Sequence, residues 1–229
     1  MTASPEAPGV ARLPRVTLAG QVAGAMRDAV LSGQFPQGQQ MNEAELAARF
    51  AVSRGPVREA MQRLVQEGLL VSHPHRGVFV VALSAADLAD VYLARSAIET
   101  TALQRIAGLP DRGPLARDLA AAVARMGAAV AASDWTAVAD SDLAFHRALV
   151  DAADSPRLSR MYDTVQAETR LSFQHLMSGY RSSAELVEEH RRLAALATGD
   201  DLPAALDEMT RHLADPVRIL RRLGTGPAA

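Results

Sequence analysis

The sequence predicts a mainly α-helical protein in two parts. A small domain of three helices ends in a β-hairpin, and an all-α bundle of six helices follows. Apolar residues recur at helical spacing through most of the 229 residues. Short runs rich in Gly, Pro, Asp and Ser separate these helical segments. One stretch, "LLVSHPHRGVFVVAL" at 69–83, instead has the β-branched runs and the central turn of a hairpin.

Composition and charge narrow the class of protein. At 48% hydrophobic and 22% charged residues the chain can bury a core, and the lack of cysteine excludes disulfides and thiolate metal sites. No apolar run reaches the ~18 residues of a membrane helix. Residues 1–16 lack the apolar stretch of a signal peptide and predict a disordered tail, as do 224–229. We therefore expect a cytoplasmic protein with no membrane partner.

Two domains are predicted, at 17–82 and at 83–223. All 24 basic residues are arginine. Residues 1–82 hold 8 Arg against 6 acidic residues, whereas residues 83–229 hold 16 Arg against 20 acidic residues. A mildly basic first part and an acidic second part indicate different partners.

The first domain has the pattern of a winged helix-turn-helix. Its helices are predicted at 17–32, at 42–50 and at 54–68, with Ser53 as the cap of the third and the three residues 51–53 joining the last two. A helix of this kind enters the major groove of DNA and reads bases with its N-terminal residues. The apolar face of the first helix is predicted to hold Leu18, Val22, Met26, Ala29 and Val30.

Five residues are the predicted DNA contacts of this domain. Ser53, Arg54 and Arg58 stand at the start of the third helix, where an arginine fork can pair with guanine or clamp a phosphate. Arg76 and Gly77 form the hairpin tip, where glycine permits close approach and arginine can enter the minor groove. The alternative is that these arginines only solvate a helix surface.

The segment at 30–80 resembles the DNA-binding domain of GntR-family bacterial transcription regulators. The pieces that carry the resemblance are "LSGQFPQG", "SRGPVREAMQRL" and "EGLL…RGVFV". The resemblance implies binding to double-stranded operator DNA. Position 55 departs from the pattern, because such segments carry threonine or a similar small polar residue where this chain has Gly55. Gly55 is therefore not among the expected contacts.

The second domain contains an aspartate and three histidines at suggestive positions. Six helices are predicted at roughly 84–107, 114–131, 134–153, 156–178, 182–198 and 201–222, with Ser133 among the N-caps. Asp142 and His146 are four residues apart and share a helical face. His190 and His212 follow in separate helices. The residues alone leave open a catalytic metal centre, a sensor's metal centre or ordinary surface polar groups.

The bundle resembles the FCD ligand-sensing domain of the FadR-like subfamily, and six helices point to its VanR-like branch. The resemblance rests on "VYLARSAIET", "DLAFHRALVDAADSPRL", "EEHRRL" and "MTRHL". It implies a bound divalent metal, with zinc as the first choice and nickel or manganese as alternatives. It also implies that Arg95 meets an anionic effector, although Arg95 could instead pair with Glu99. The implied metal ligands are Asp142, His146, His190 and His212.

These features together predict a homodimeric, ligand-responsive regulator, most simply a repressor of an inverted-repeat operator. A small carboxylate would bind at the metal. A sensor of the metal ion itself is the first alternative. A hydrolase with a DNA module is the second, since three-histidine zinc can activate water. Asp140 and Glu189, the nearby carboxylates, are expected to be outer-shell or surface groups, so we expect no enzyme.

Overall fold

The mainly helical architecture is confirmed by a computed structural model that describes residues 17–177 and 183–223. The tails predicted at 1–16 and 224–229 lie outside the described residues. The elements in chain order are α1 Leu18–Leu31, β1 Gln40–Met41, α2 Glu43–Arg49, α3 Arg54–Gln66, β2 Leu70–His73, β3 Gly77–Val80, α4 Ala85–Ile106, α5 Gly113–Ala131, α6 Trp135–Ala152, α7 Pro156–Met177, α8 Ser183–Thr198 and α9 Leu202–Leu223.

The first three helices and the sheet form the winged helix-turn-helix domain. The Thr17 hydroxyl accepts a hydrogen bond from the backbone N–H of Gly20 at 3.1 Å and so caps α1. The inner faces of α1 and α3 share one buried apolar core. Leu18 was wrongly placed on that face: it is 50% exposed, because it starts the helix before the core begins.

The predicted hairpin is one side of a three-stranded sheet with the order β1–β3–β2. Strand β1 was missed, because its two residues are too short to show an alternating pattern. Gln40 pairs with Phe79 across this added edge. Gly77 has a φ of 101°, and a Cβ there would lie 3.0 Å from the Gln40 amide. The wing tip therefore requires glycine.

Helices α4 to α9 form the predicted bundle around a second apolar core. The predicted cap of α6 was one residue early. Asp134 is the N-cap, and its carboxylate accepts from the N–H of Ala137 at 3.0 Å. Ser133 instead has a φ of 56° and belongs to the turn after α5. An aspartate is as good a cap as a serine, so the sequence did not separate the two.

Helix α7 connects the two domains. Its Leu171 is buried in the core of the winged helix-turn-helix domain. The Gln37 side chain donates to the carbonyl of Leu171 at 2.9 Å and accepts from the N–H of Leu83 at 3.3 Å. Residues Thr169 and Ser172 of the same helix are buried. A shift of α7 would therefore change packing contacts in both domains.

Candidate metal centre and DNA-reading surface

Three helices bring the predicted metal ligands together inside the bundle. Asp142 and His146 lie one turn apart on α6, His190 lies on α8 and His212 on α9. Each side chain is at most 6% exposed. One potential ligand atom from each residue lies within 4.8 Å of those of the others. Sequence spacing predicted the first pair, the family resemblance implied the other two, and the packing of α6, α8 and α9 brings all four together.

Neighbouring acceptors decide which imidazole nitrogen faces the shared centre. Nδ1 of His190 lies 2.8 Å from a backbone carbonyl on α8, and Nδ1 of His146 lies 2.5 Å from Oε2 of Glu99. Nδ1 of His212 is 3.4 Å from Oε2 of Glu189, a looser contact. A neutral imidazole that directs its Nδ1 proton to an acceptor keeps a lone pair on Nε2. All three Nε2 atoms thus suit metal binding.

The inward-facing atoms fit a shared cation. The Nε2 atoms of His146 and His212 are 3.1 Å apart. Nε2 of His190 is 3.0 Å from Oδ1 of Asp142 but makes no hydrogen bond within the described chain. Atoms that each lie about 2.1 Å from one ion are at most about 4.2 Å apart, so the 4.8 Å span of the four ligand atoms has to shorten by about half an ångström when all of them bind one ion. Three imidazoles and a carboxylate suit zinc, nickel or manganese.

Burial and nearby charges keep three of the four candidate ligands in the protonation states that metal binding needs. It lowers the pKa of His146 well below the ordinary value, and the charge of Arg95 acts in the same direction. It also lowers the pKa of His212. Burial acts to raise the pKa of Asp142, but interaction with His190 and other nearby charges holds it below its usual range. Neutral imidazoles at His146 and His212, beside an ionised carboxylate, follow.

A buried ion pair lies directly behind His146. Nε of Arg95 donates to Oε1 of Glu99 at 2.8 Å, and the second oxygen of Glu99 faces the imidazole. Burial raises the pKa of Glu99, although the charge of Arg95 opposes this shift. Arg95 therefore does pair with Glu99. The pairing leaves its Nη2 group available for a second role.

Nη2 of Arg95 and the hydroxyl of Tyr162 are among the buried polar groups that have no hydrogen-bond partner among the described residues. Burial raises the pKa of Tyr162 well above its ordinary value, and the charges of Glu99 and Arg95 also act on it. Tyr162 belongs to the same small apolar cluster as Ile98, the residue that precedes Glu99 on α4. A buried donor without a partner is costly in free energy, and an anion bound at Arg95 would accept a hydrogen bond from its Nη2 group.

All five residues predicted to contact DNA are exposed. Ser53 precedes α3, and its side chain makes no capping hydrogen bond within the described structure. Arg76 lies in the turn between β2 and β3, and Gly77 is the first residue of β3. A Cβ built on Gly55 would meet no described atom within 4 Å. The start of α3 therefore has room for a larger residue.

Arg58 carries a partner that the sequence did not reveal. Its Nε and Nη2 groups donate to the two carboxylate oxygens of Glu43 at 2.9 Å and 2.8 Å. Both side chains are largely or partly exposed. An exposed pair of this kind contributes little to stability, so Arg58 can exchange Glu43 for a phosphate or a base at low cost.

Sequence reasoning missed Glu43 and Tyr162 at these sites, and it gave Glu99 only as an ion-pair partner. Glu99 had a signal, because it stands four residues after Arg95 on one helix face. Tyr162 had none, since α7 and α4 are distant in the sequence. Of the two other carboxylates considered, Asp140 pairs with Arg170, and Glu189 lies beside His212.

Comparison with protein families divides the chain in the same way. Residues 18–80 match the family of bacterial regulatory proteins named gntR, and residues 90–215 match the FCD domain. An HTH-type transcriptional regulator from Agrobacterium vitis is 36% identical over 143 residues, which are 60% of this chain and 84% of that protein. The repressor GlaR of Escherichia coli K12 is 24% identical, over 88% of this chain and 94% of that protein.

A solved structure shows similarity to the same family. The GntR transcriptional regulator from Rhodococcus sp. RHA1 matches with a TM-score of 0.75 and 30% identity, over 89% of this chain and 97% of that one. No helix among the described residues is long and apolar enough to cross a membrane. The family and these relatives are regulators of transcription, not enzymes. The chain belongs to the GntR family of transcriptional regulators, with an N-terminal DNA-binding domain and a C-terminal FCD domain.

Proposed function

We propose that the protein is a homodimeric repressor that binds an inverted-repeat operator and is released by a small organic acid. Residues 17–82 read the DNA, and residues 83–223 sense the acid and form the dimer. The protein works in the cytoplasm. A divalent ion, with zinc as the first choice, is held by Asp142, His146, His190 and His212. The observation that carries the proposal is the buried cluster, in which ligand atoms of three imidazoles and one carboxylate lie within 4.8 Å of one another.

The acid binds between the metal centre and Arg95. Bound zinc would supply a Lewis-acidic centre that attracts a carboxylate oxygen. Arg95 supports the same end of the ligand, because its Nη2 group is buried, charged and without a described partner. The Tyr162 hydroxyl offers a further hydrogen bond. These groups favour a small anion over a neutral or cationic effector.

The acid acts on DNA binding through α7. This helix packs Tyr162 among residues of the bundle and Leu171 inside the core of the DNA-reading domain. The two DNA-reading heads of a dimer must match half-sites about 34–36 Å apart, so a small shift of α7 changes how well they fit. The acid shifts this equilibrium only by its differential affinity for the two arrangements.

The test combines metal content, DNA binding and effector response. Elemental analysis is expected to find about one metal ion per chain. Fluorescence anisotropy with DNA from upstream of the gene is expected to show binding that one member of a carboxylate panel weakens. His146→Ala is expected to lose that response and keep DNA binding.

Two outcomes would change the assignment. If chelation alone altered DNA affinity and no acid did, the protein would be a metal sensor. If there were no stoichiometric metal and His146→Ala responded normally to the acid, the four residues would have only a structural role.

A further inference from the structure

The carboxylate of Glu99 is shared between the two halves of the proposed sensing site. Oε1 accepts a hydrogen bond from Nε of Arg95 at 2.8 Å, and Oε2 faces Nδ1 of His146 at 2.5 Å. All three side chains are buried. Direct contacts therefore join the guanidinium, whose Nη2 has no partner among the described residues, to an imidazole of the candidate metal site.

We propose that Glu99 is a positioning residue that holds His146 in its metal-binding tautomer and the Arg95 guanidinium in place, so that metal and anion bind with linked affinities. The inference rests on the proposed function, because it requires a metal at His146 and an anion at Arg95. It adds a residue that touches neither ligand and still controls both.

The shared carboxylate gives the linkage its sign. An anion at Nη2 of Arg95 takes up part of the guanidinium's positive charge. Glu99 is then less neutralised and accepts the Nδ1 proton of His146 more strongly, which makes Nε2 a better electron donor. Anion binding should therefore raise metal affinity. By thermodynamic reciprocity, metal binding raises anion affinity by the same factor.

Glu189 offers a matched control on another ligand. Like Glu99, it places a carboxylate beside Nδ1 of a cluster histidine, His212. The contact is looser at 3.4 Å, and the Glu189 side chain is 21% exposed. The same substitution at the two positions therefore separates tight positioning from the loss of one negative charge near the centre.

The experiment measures zinc affinity of the full-length protein by competition with a chromophoric chelator. Glu99→Gln is expected to bind zinc about 10–100-fold more weakly, because an amide cannot accept from both neighbours. Glu189→Gln is expected to stay within about fivefold of the original chain. Glu99→Asp keeps the charge opposite Arg95 but withdraws the carboxylate by one methylene. It should still lose about tenfold, and it serves if Glu99→Gln does not fold.

Two further readouts address positioning and linkage. A two-bond ¹H–¹⁵N spectrum of the zinc-free protein should show His146 protonated at Nδ1, with a low-field proton that Glu99→Gln and Glu99→Asp remove. Excess acetate, the smallest carboxylate probe, should tighten zinc binding by the original chain and leave that of Glu99→Gln unchanged. An acetate effect that is absent from the original chain, or equal in both proteins, would overturn the linkage.

Failure of this inference differs from failure of the proposed function. An original chain that binds no zinc would overturn both. The inference alone would be overturned if the original chain bound zinc and Glu99→Asp bound it with an affinity within about fivefold, with the His146 resonance unchanged.

Discussion

The protein places the same ion pair, an arginine with a glutamate, at its two candidate sites in opposite surroundings. Arg58 and Glu43 meet through two hydrogen bonds, with side chains 60% and 31% exposed. Arg95 and Glu99 meet through one hydrogen bond of 2.8 Å, with side chains 2% and 0% exposed. The hydrogen-bond lengths of the two pairs are similar, but their access to water is not.

The difference matches what each site has to do. Water and salt screen the exposed pair, so Arg58 can leave Glu43 when DNA offers a better acceptor. In the buried pair each charge depends on the other, because neither can be solvated. The first arrangement suits a surface that must exchange partners. The second suits a site whose parts must stay fixed until a ligand arrives.

The largest expected effect tests this contrast directly. Arg95→Met should lower the free energy of unfolding by about 3–5 kcal/mol, because it leaves the buried Glu99 without its countercharge. The matched change Arg58→Met should leave it unchanged within error. Urea unfolding with chelator present makes the measurement without a metal contribution. Equal losses in the two variants would refute the contrast.

Metal removal is expected to have the next largest effect. An ion bound only by the folded state stabilises it by about 2.7 kcal/mol when its concentration is 100 times the dissociation constant. Chelation should therefore lower the melting temperature. His146→Ala should show no such dependence, while its DNA affinity stays near that of the original chain. A chelator response retained by His146→Ala would exclude this imidazole from the metal site.

The sequence predicted the individual helices and strands better than it predicted which of them contact one another. The six bundle helices were predictable, because each carries an apolar stripe at helical spacing and ends at Gly, Pro or a polar cap. Strand β1 was not, because Gln40 and Met41 become a strand only through pairing with β3. Local patterns report local structure, and β1 exists through a contact some forty residues away.

The same limit applied at the metal centre. Asp142 and His146 could be paired by spacing, whereas His190 and His212 were matched through family resemblance. Glu99 could be assigned to Arg95 by spacing, but its contact with His146 depends on how α4 packs against α6. A residue that supports a ligand from another helix leaves no periodic trace in the sequence.

On the exposed side, Arg54→Ala and Arg58→Ala are expected to weaken operator binding about tenfold to a hundredfold each, without changing stability. If they read bases, sequence preference should relax; if they hold phosphates, affinity should fall for all sequences and the salt dependence should weaken. Anisotropy titrations at several salt concentrations separate the two. Unchanged binding in both variants would remove the start of α3 from the DNA interface.

The smallest expected effect concerns Gly55 at the same exposed start of α3. Gly55→Ala should raise the free energy of unfolding by up to about 1 kcal/mol, because alanine favours the helix and its Cβ meets no described atom within 4 Å. Gly68→Ala is the matched control. Gly68 has a φ of 76°, so the same methyl group should cost about 1 kcal/mol there. Urea unfolding measures the stability of both variants, and their zinc affinities should equal that of the original chain. Unchanged zinc affinity would show that the DNA-reading end can be altered without disturbing the buried site. A loss of stability in Gly55→Ala would mean that the start of α3 is constrained by contacts that its open surroundings do not reveal.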